Sequence, residues 1–139
     1  MAESRPRPNL HHAVLAIAPQ RLARTAQLFA DLGFRFDEFD LGDVGLRVML
    51  DWDRGLELVT PTAPDSDNPV RQFLDNHGDG VFTLALRVDD APAAEQIAHR
   101  YGAVTNFRQH RAGDGWQLDE IEMSVLGLLP LTLLSTDLP

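Results

Sequence analysis

The chain has 139 residues, 44% hydrophobic and 24% charged, a composition that suits one folded globular domain and argues against general disorder. Its 12 basic residues, all arginine, face 21 acidic ones, and the net charge of −9 argues against nucleic acid and an anionic membrane surface while suiting a neutral or cationic small molecule. The absence of cysteine excludes disulfides, thiolate metal sites and cysteine nucleophiles, and the absence of lysine excludes Schiff-base chemistry.

The polar stretch 1–9 lacks the apolar core of a secretory signal, and no apolar run approaches the roughly 18 residues of a membrane span, so the expected location is cytoplasmic. Residues 10–17 form an apolar run of strand formers. A helical pattern follows over 19–32, with Leu22, Ala26 and Phe29 and then Leu28 or Leu32 on one stripe, stopping at Gly33. Three strand-like runs come next, 34–39, 45–50 and 55–60, with turns at Gly42 and at Trp52-Asp53-Arg54-Gly55. The stretch 62–67 is turn-rich. After it Asn68 can cap a short helix with Pro69 in its first turn and Val70, Phe73 and Leu74 on its apolar stripe, ending near His77-Gly78. A second strand-like run spans 81–88. The helical pattern of 90–101 follows, capped by Asp89 or Asp90, with Ala94, Ile97, Ala98 and Tyr101 on its stripe and Gly102 after it. The remaining runs are 103–109, 117–125 and 128–134, with a hairpin at Ala112-Gly113-Asp114-Gly115.

This order is βαβββ twice. Aligning His12 with Thr83 superposes the two opening strands, and Glu57 then falls over Thr132 in the last strands. The expected organisation is one domain over 1–139: module one at 9–61, a connector with a short helix at 62–79, and module two at 80–135. The expected fold class is α+β, with two βαβββ modules whose curved sheets form a cleft. Open sheet edges invite pairing, which predicts a homodimer.

Paired βαβββ modules resemble the vicinal oxygen chelate superfamily, which includes glyoxalase I, extradiol dioxygenases, bleomycin-binding resistance proteins and methylmalonyl-CoA epimerase. The local sequence is most similar to the epimerases, over Leu56-Glu57-Leu58-Val59-Thr60-Pro61, Asn68-Pro69-Val70-Arg71-Gln72-Phe73-Leu74, Gly78-Asp79-Gly80 and Leu84-Ala85-Leu86-Arg87-Val88-Asp89-Asp90. The resemblance implies the glyoxalase-like fold and four inward-facing metal-ligand positions on the first and fourth strands of each module. These fall on His12, Glu57, Thr83 and Thr132. The first pair suits a divalent cation, but a threonine hydroxyl brings neither charge nor a strong donor. The resemblance therefore implies a small-molecule cleft without a full metal centre, with at most a weakly held Mn, Co, Ni or Zn on His12 and Glu57.

Strand alternation sends His12 and His11 to opposite faces. His12 reads either as a ligand or general base, or as a core histidine bonded to Glu57. Glu57 stands in an apolar strand, and a carboxylate facing a closed core is costly, so it is expected to face a cavity. His12 and Glu57 are thus the candidate catalytic pair for proton transfer in an epimerase-, isomerase- or lyase-like enzyme. On strand 117–125, Glu120 and Glu122 share one face and Asp119 and Ile121 the other. The glutamates are candidate ligand-binding residues with Thr83 and Thr132, against the alternative of a solvated sheet face. Trp52 and Trp116, both in turn regions, are candidate pocket-rim residues. His77, His99 and His110 are expected at the surface. The competing function is metal-free sequestration of a neutral or cationic natural product, as in bleomycin resistance, with Glu57 as counter-charge.

Overall fold

The computed structural model describes residues 8–62, 68–126 and 129–139. Residues 63–67 of the predicted turn-rich stretch 62–67, residues 1–7 of the polar stretch 1–9, and residues 127–128, where the last predicted strand starts, lie outside the described residues. The chain divides into two compact units, one of His12–Thr83 and the other of Leu84–Pro139 with the start of the first strand.

In the first unit, β1 (Asn9–Ala16) leads through a single 3-10 turn (Pro19–Arg21) into α1 (Leu22–Asp31), followed by β2 (Asp37–Leu41), β3 (Leu46–Asp51), β4 (Leu56–Pro61) and α2 (Pro69–His77). The strands lie in the order β2-β3-β4-β1. β1 is parallel to β4, and the other pairs are antiparallel. In the second module, β5 (Gly80–Arg87), whose residues from Leu84 onward belong to the second unit, leads into α3 (Ala91–His99), then β6 (Val104–Gly113), β7 (Trp116–Val125) and β8 (Leu129–Thr136). Its order is β5-β8-β7-β6, again with the first strand parallel to the last. Both βαβββ modules expected from the sequence are present, and the fold is α+β.

Alternation along the strands separates two apolar clusters in the first unit. Leu15, Ile17 and Leu58 meet Leu22, Ala26 and Phe29 of α1, with Phe36 and Met49 alongside. On the opposite face Val14, Ala16, Val48 and Val59 meet Val70, Phe73 and Leu74 of α2. Each large side chain so buried contributes roughly 1.5–3 kcal/mol. In the second unit α3 packs Ala91, Ala94 and Ala98 against Ile121, Met123 and Leu133. Both βαβββ helices stop at a glycine in the left-handed region, Gly33 (φ +111°) and Gly102 (φ +83°).

Three local expectations change. Leu28 and Leu32 are both exposed, so the α1 stripe stays on Leu22, Ala26 and Phe29. The α3 stripe runs through Ala91, Ala94, Glu95 and Ala98, leaving Ile97 and Tyr101 exposed at 52% and 70%. β2 begins at Asp37 and not at Phe34, because residues 34–36 serve other bonds. Phe34 packs edge-on against Phe29, the Arg35 amide donates to the Asp51 carboxylate at 2.9 Å, and Phe36 joins the α1 cluster. Among the described residues no helix is long and apolar enough to cross a membrane.

Candidate functional site

β1 and β4 run parallel with Val14 opposite Glu57. His12, two residues before Val14, therefore shares the Glu57 face, and His11 takes the other. The His12 Nε2 lies 3.2 Å from Glu57 Oε1, with His12 3% exposed and Glu57 17% exposed. Glu57 is flanked across the sheet by Val14 on one side and Leu50 on the other, so apolar side chains border the carboxylate on both neighbouring strands. Trp52, immediately after β3, completes the group: its ring centroid is 6.3 Å from that of His12, tilted by 42°. α2 packs on this same face farther along the strands, over Val14, Ala16 and Val59. Chemically, a carboxylate in contact with a buried imidazole fixes the ring's orientation, and an oriented imidazole can accept and donate a proton.

The candidates of β7 and β8 belong to the second unit. Glu122 stands directly opposite Thr132, and Glu120 opposite Leu134, so both glutamates share the Thr132 face of that sheet. Ile121 and Met123 point the other way, into the α3 cluster. Glu120 and Glu122 are half-buried, and Thr132 is buried. Thr83 is also buried, on β5 within the first unit. Trp116 opens β7 and lies over Gly113, where a Cβ would collide with the indole. It lies four residues from Glu120 and six from Glu122 along the same strand. Within the first unit the structure groups His12, Glu57 and Trp52, and within the second Thr132, Glu120 and Glu122 share one sheet face.

Several buried charged side chains escaped the sequence reading. The Asp51 carboxylate is desolvated. Hydrogen bonds from the Arg35 and Arg54 amides (2.9 and 3.1 Å) and the Arg54 guanidinium (3.3 Å) nevertheless hold its carboxyl below the usual value. Glu95 is likewise desolvated. Hydrogen bonds from Thr105 and from Arg108 (2.5 Å), with the charges of Arg108 and His99, hold it low as well. The Arg87 guanidinium donates to the Thr136 carbonyl at 3.0 Å and to that of Leu138. These groups pin turns and strand ends. The available signal was positional: Glu95 falls in register with Ala91 and Ala98 on its helix, and Asp51 precedes a turn. His77, His99 and His110 are exposed, as expected.

Among solved structures, the chain resembles methylmalonyl-CoA epimerase from Mycobacterium tuberculosis, with a TM-score of 0.67 and 24% identity over 91% of this chain and 86% of that one. A hypothetical protein from Bacillus halodurans matches with a TM-score of 0.70 and 17% identity over 92% of this chain and 94% of that one. A substituted 4-hydroxymandelate synthase from Streptomyces coelicolor matches with a TM-score of 0.69 and 18% identity, over 97% of this chain and 50% of that one. At these identities the likeness establishes the fold that the chain shares with them. No protein-family model and no curated protein matches the sequence.

The vicinal oxygen chelate resemblance implies a divalent metal at His12, Glu57, Thr83 and Thr132. The donor set does not fit it, since one imidazole and one carboxylate are joined by two neutral hydroxyls. Among the described residues no group of three or more histidine, aspartate and glutamate side chains is placed to hold a metal ion.

Proposed function

We propose that the chain is a metal-independent proton-transfer enzyme, epimerase-, isomerase- or lyase-like, acting on a small oxygenated organic substrate. The observation that carries this is the 3.2 Å contact between the buried His12 imidazole and Glu57. In this reading Glu57 orients the ring, His12 removes a proton from carbon next to a carbonyl and returns it, and Trp52 walls the imidazole from water. A positioned base of this kind contributes roughly 10²–10⁴-fold in rate. Methylmalonyl-CoA is the ligand of a solved epimerase of this fold. It is not the substrate proposed here, because two of the four ligand positions lack metal donors and a net charge of −9 opposes a polyanionic thioester. The unpaired edges of β2 and β6 support a homodimer, and sedimentation of the full chain tests it.

The deciding experiment follows α-proton exchange of enolisable carbonyl compounds in D₂O by NMR, with EDTA present. The expected result is exchange by the wild type, a drop of about 10²-fold or more in His12→Gln, and a smaller loss of rate in Glu57→Gln, which leaves the base but not its orienting carboxylate. Exchange that requires added Mn, Co, Ni or Zn, or that survives His12→Gln, overturns the proposal. So does a compound that binds without exchange and loses affinity in Glu57→Gln, which instead establishes the sequestration function.

A further inference from the structure

The first unit carries a concavity on the sheet face opposite the His12–Glu57 pair. It lies between α1 and the β2–β3 hairpin and has a volume of about 470 Å³, within the range of roughly 300–1,000 Å³ typical of ligand pockets. Its base is the outer edge of the α1 cluster, formed by Leu22, Phe36 and Met49. Its helix wall is short because α1 presents Ala23, Ala26 and Ala30 there. The base is thus apolar and polarizable, the wall leaves room, and the open side is bounded by the charged residues of the hairpin.

Those charges select the ligand. Glu38 stands directly opposite Met49, and Asp40 directly opposite Arg47, so all four side chains share the face that bears the groove. Arg47 bonds Glu38 at 2.8 Å, with both side chains about half exposed. Glu38 and Arg47 line the groove and Asp40 borders it on the same strand face, so the hairpin edge carries two carboxylates against one guanidinium, in a chain whose net charge is −9. An anionic head group there would face that field, whereas a cationic one complements it. Replacing the exposed Arg47–Glu38 contact loses little, because surface ion pairs contribute about 0–1 kcal/mol.

We propose that this groove binds a hydrophobic cation, an aliphatic or aromatic body seated on Leu22, Phe36 and Met49 with its ammonium head beside Glu38, at the hairpin edge whose same face also carries Asp40. The site is distinct from the proton-transfer pair and does not depend on it.

The chain has three methionines, which makes the test direct. Met49 lines the groove, while Met123 is buried in the second unit and serves as an internal reference. The full chain, labelled with methyl-¹³C methionine, is titrated with dodecyltrimethylammonium below its micelle concentration, and in parallel with dodecanoate. The expected result is a saturable shift of the Met49 methyl signal with Met123 unmoved, and binding of the ammonium about tenfold or more tighter than of dodecanoate. Ala30→Phe, a change at an exposed helix position, should fill the groove and abolish the shift. Glu38→Gln should weaken binding about tenfold, and His12→Gln should leave it unchanged. An unmoved Met49, joint movement of Met49 and Met123, tighter binding of dodecanoate, or loss in His12→Gln each overturns the proposal. A failure confined to this titration leaves the α-proton exchange of the first site untouched, so the two fail separately.

Discussion

Asp51 is 3% exposed, and it holds together the segment before β2 and the turn after β3 by accepting from two backbone amides and one guanidinium. Truncation to alanine leaves the Arg35 and Arg54 amides without that acceptor, and removing a charged acceptor of this kind costs about 1.5–3 kcal/mol. Asp51→Ala is therefore expected to lower the unfolding free energy by that amount, read as a lower urea midpoint with an unchanged slope. A loss under about 0.5 kcal/mol shows that water replaces the carboxylate. At this scale the sequence was legible where a polar residue interrupts an apolar strand: Glu57 betrays itself between Leu56 and Leu58, and strand alternation then aligns His12 with it. Glu95 stayed hidden because helix position alone makes it buried. Its partners Thr105 and Arg108 come from the following strand, and no local pattern announces them.

Among the elements, α2 is the most completely legible. Asn68 caps it through a 2.8 Å bond from the Arg71 amide, Pro69 opens the first turn, and Gly78 (φ +75°) follows its last residue. Asn68 also donates to the Gly45 carbonyl at 3.1 Å, which ties the helix start to the β2–β3 connection. Asn68→Ala is expected to cost about 1–2 kcal/mol, near the upper end for a lost N-cap because the second bond goes too. Asn68→Asp, which keeps the accepting oxygen but loses the amide donor, should recover part of that. Equal losses in both would assign the whole effect to the Gly45 bond. The strand starting at Asp37 was less legible. The run Phe34-Arg35-Phe36 has strand composition, but its aromatic rings and one amide are taken up by α1 and Asp51, and tertiary contact overrides propensity.

At the scale of the whole molecule, the surplus of acid is not evenly exposed to titration. Asp51, Asp79 and Glu95 all have carboxyls held below their usual values. For Asp79 the Arg21 hydrogen bond is the largest cause, aided by the Ala18 amide and opposed by burial. A carboxyl whose folded pKa is depressed binds its proton more readily in the unfolded chain. Its contribution is therefore complete above the unfolded values, about 3.9 for aspartate and 4.3 for glutamate, and is lost as pH falls through the folded ones. Urea midpoints should accordingly hold from neutrality down to about pH 5 and then drop steeply with acid. The triple substitution Asp51→Asn, Asp79→Asn and Glu95→Gln should lower stability at pH 7 and flatten the acid limb, because the three sites that bind protons on unfolding are gone. An acid limb as steep in the triple variant as in the wild type would place the linkage elsewhere among the 21 acidic residues.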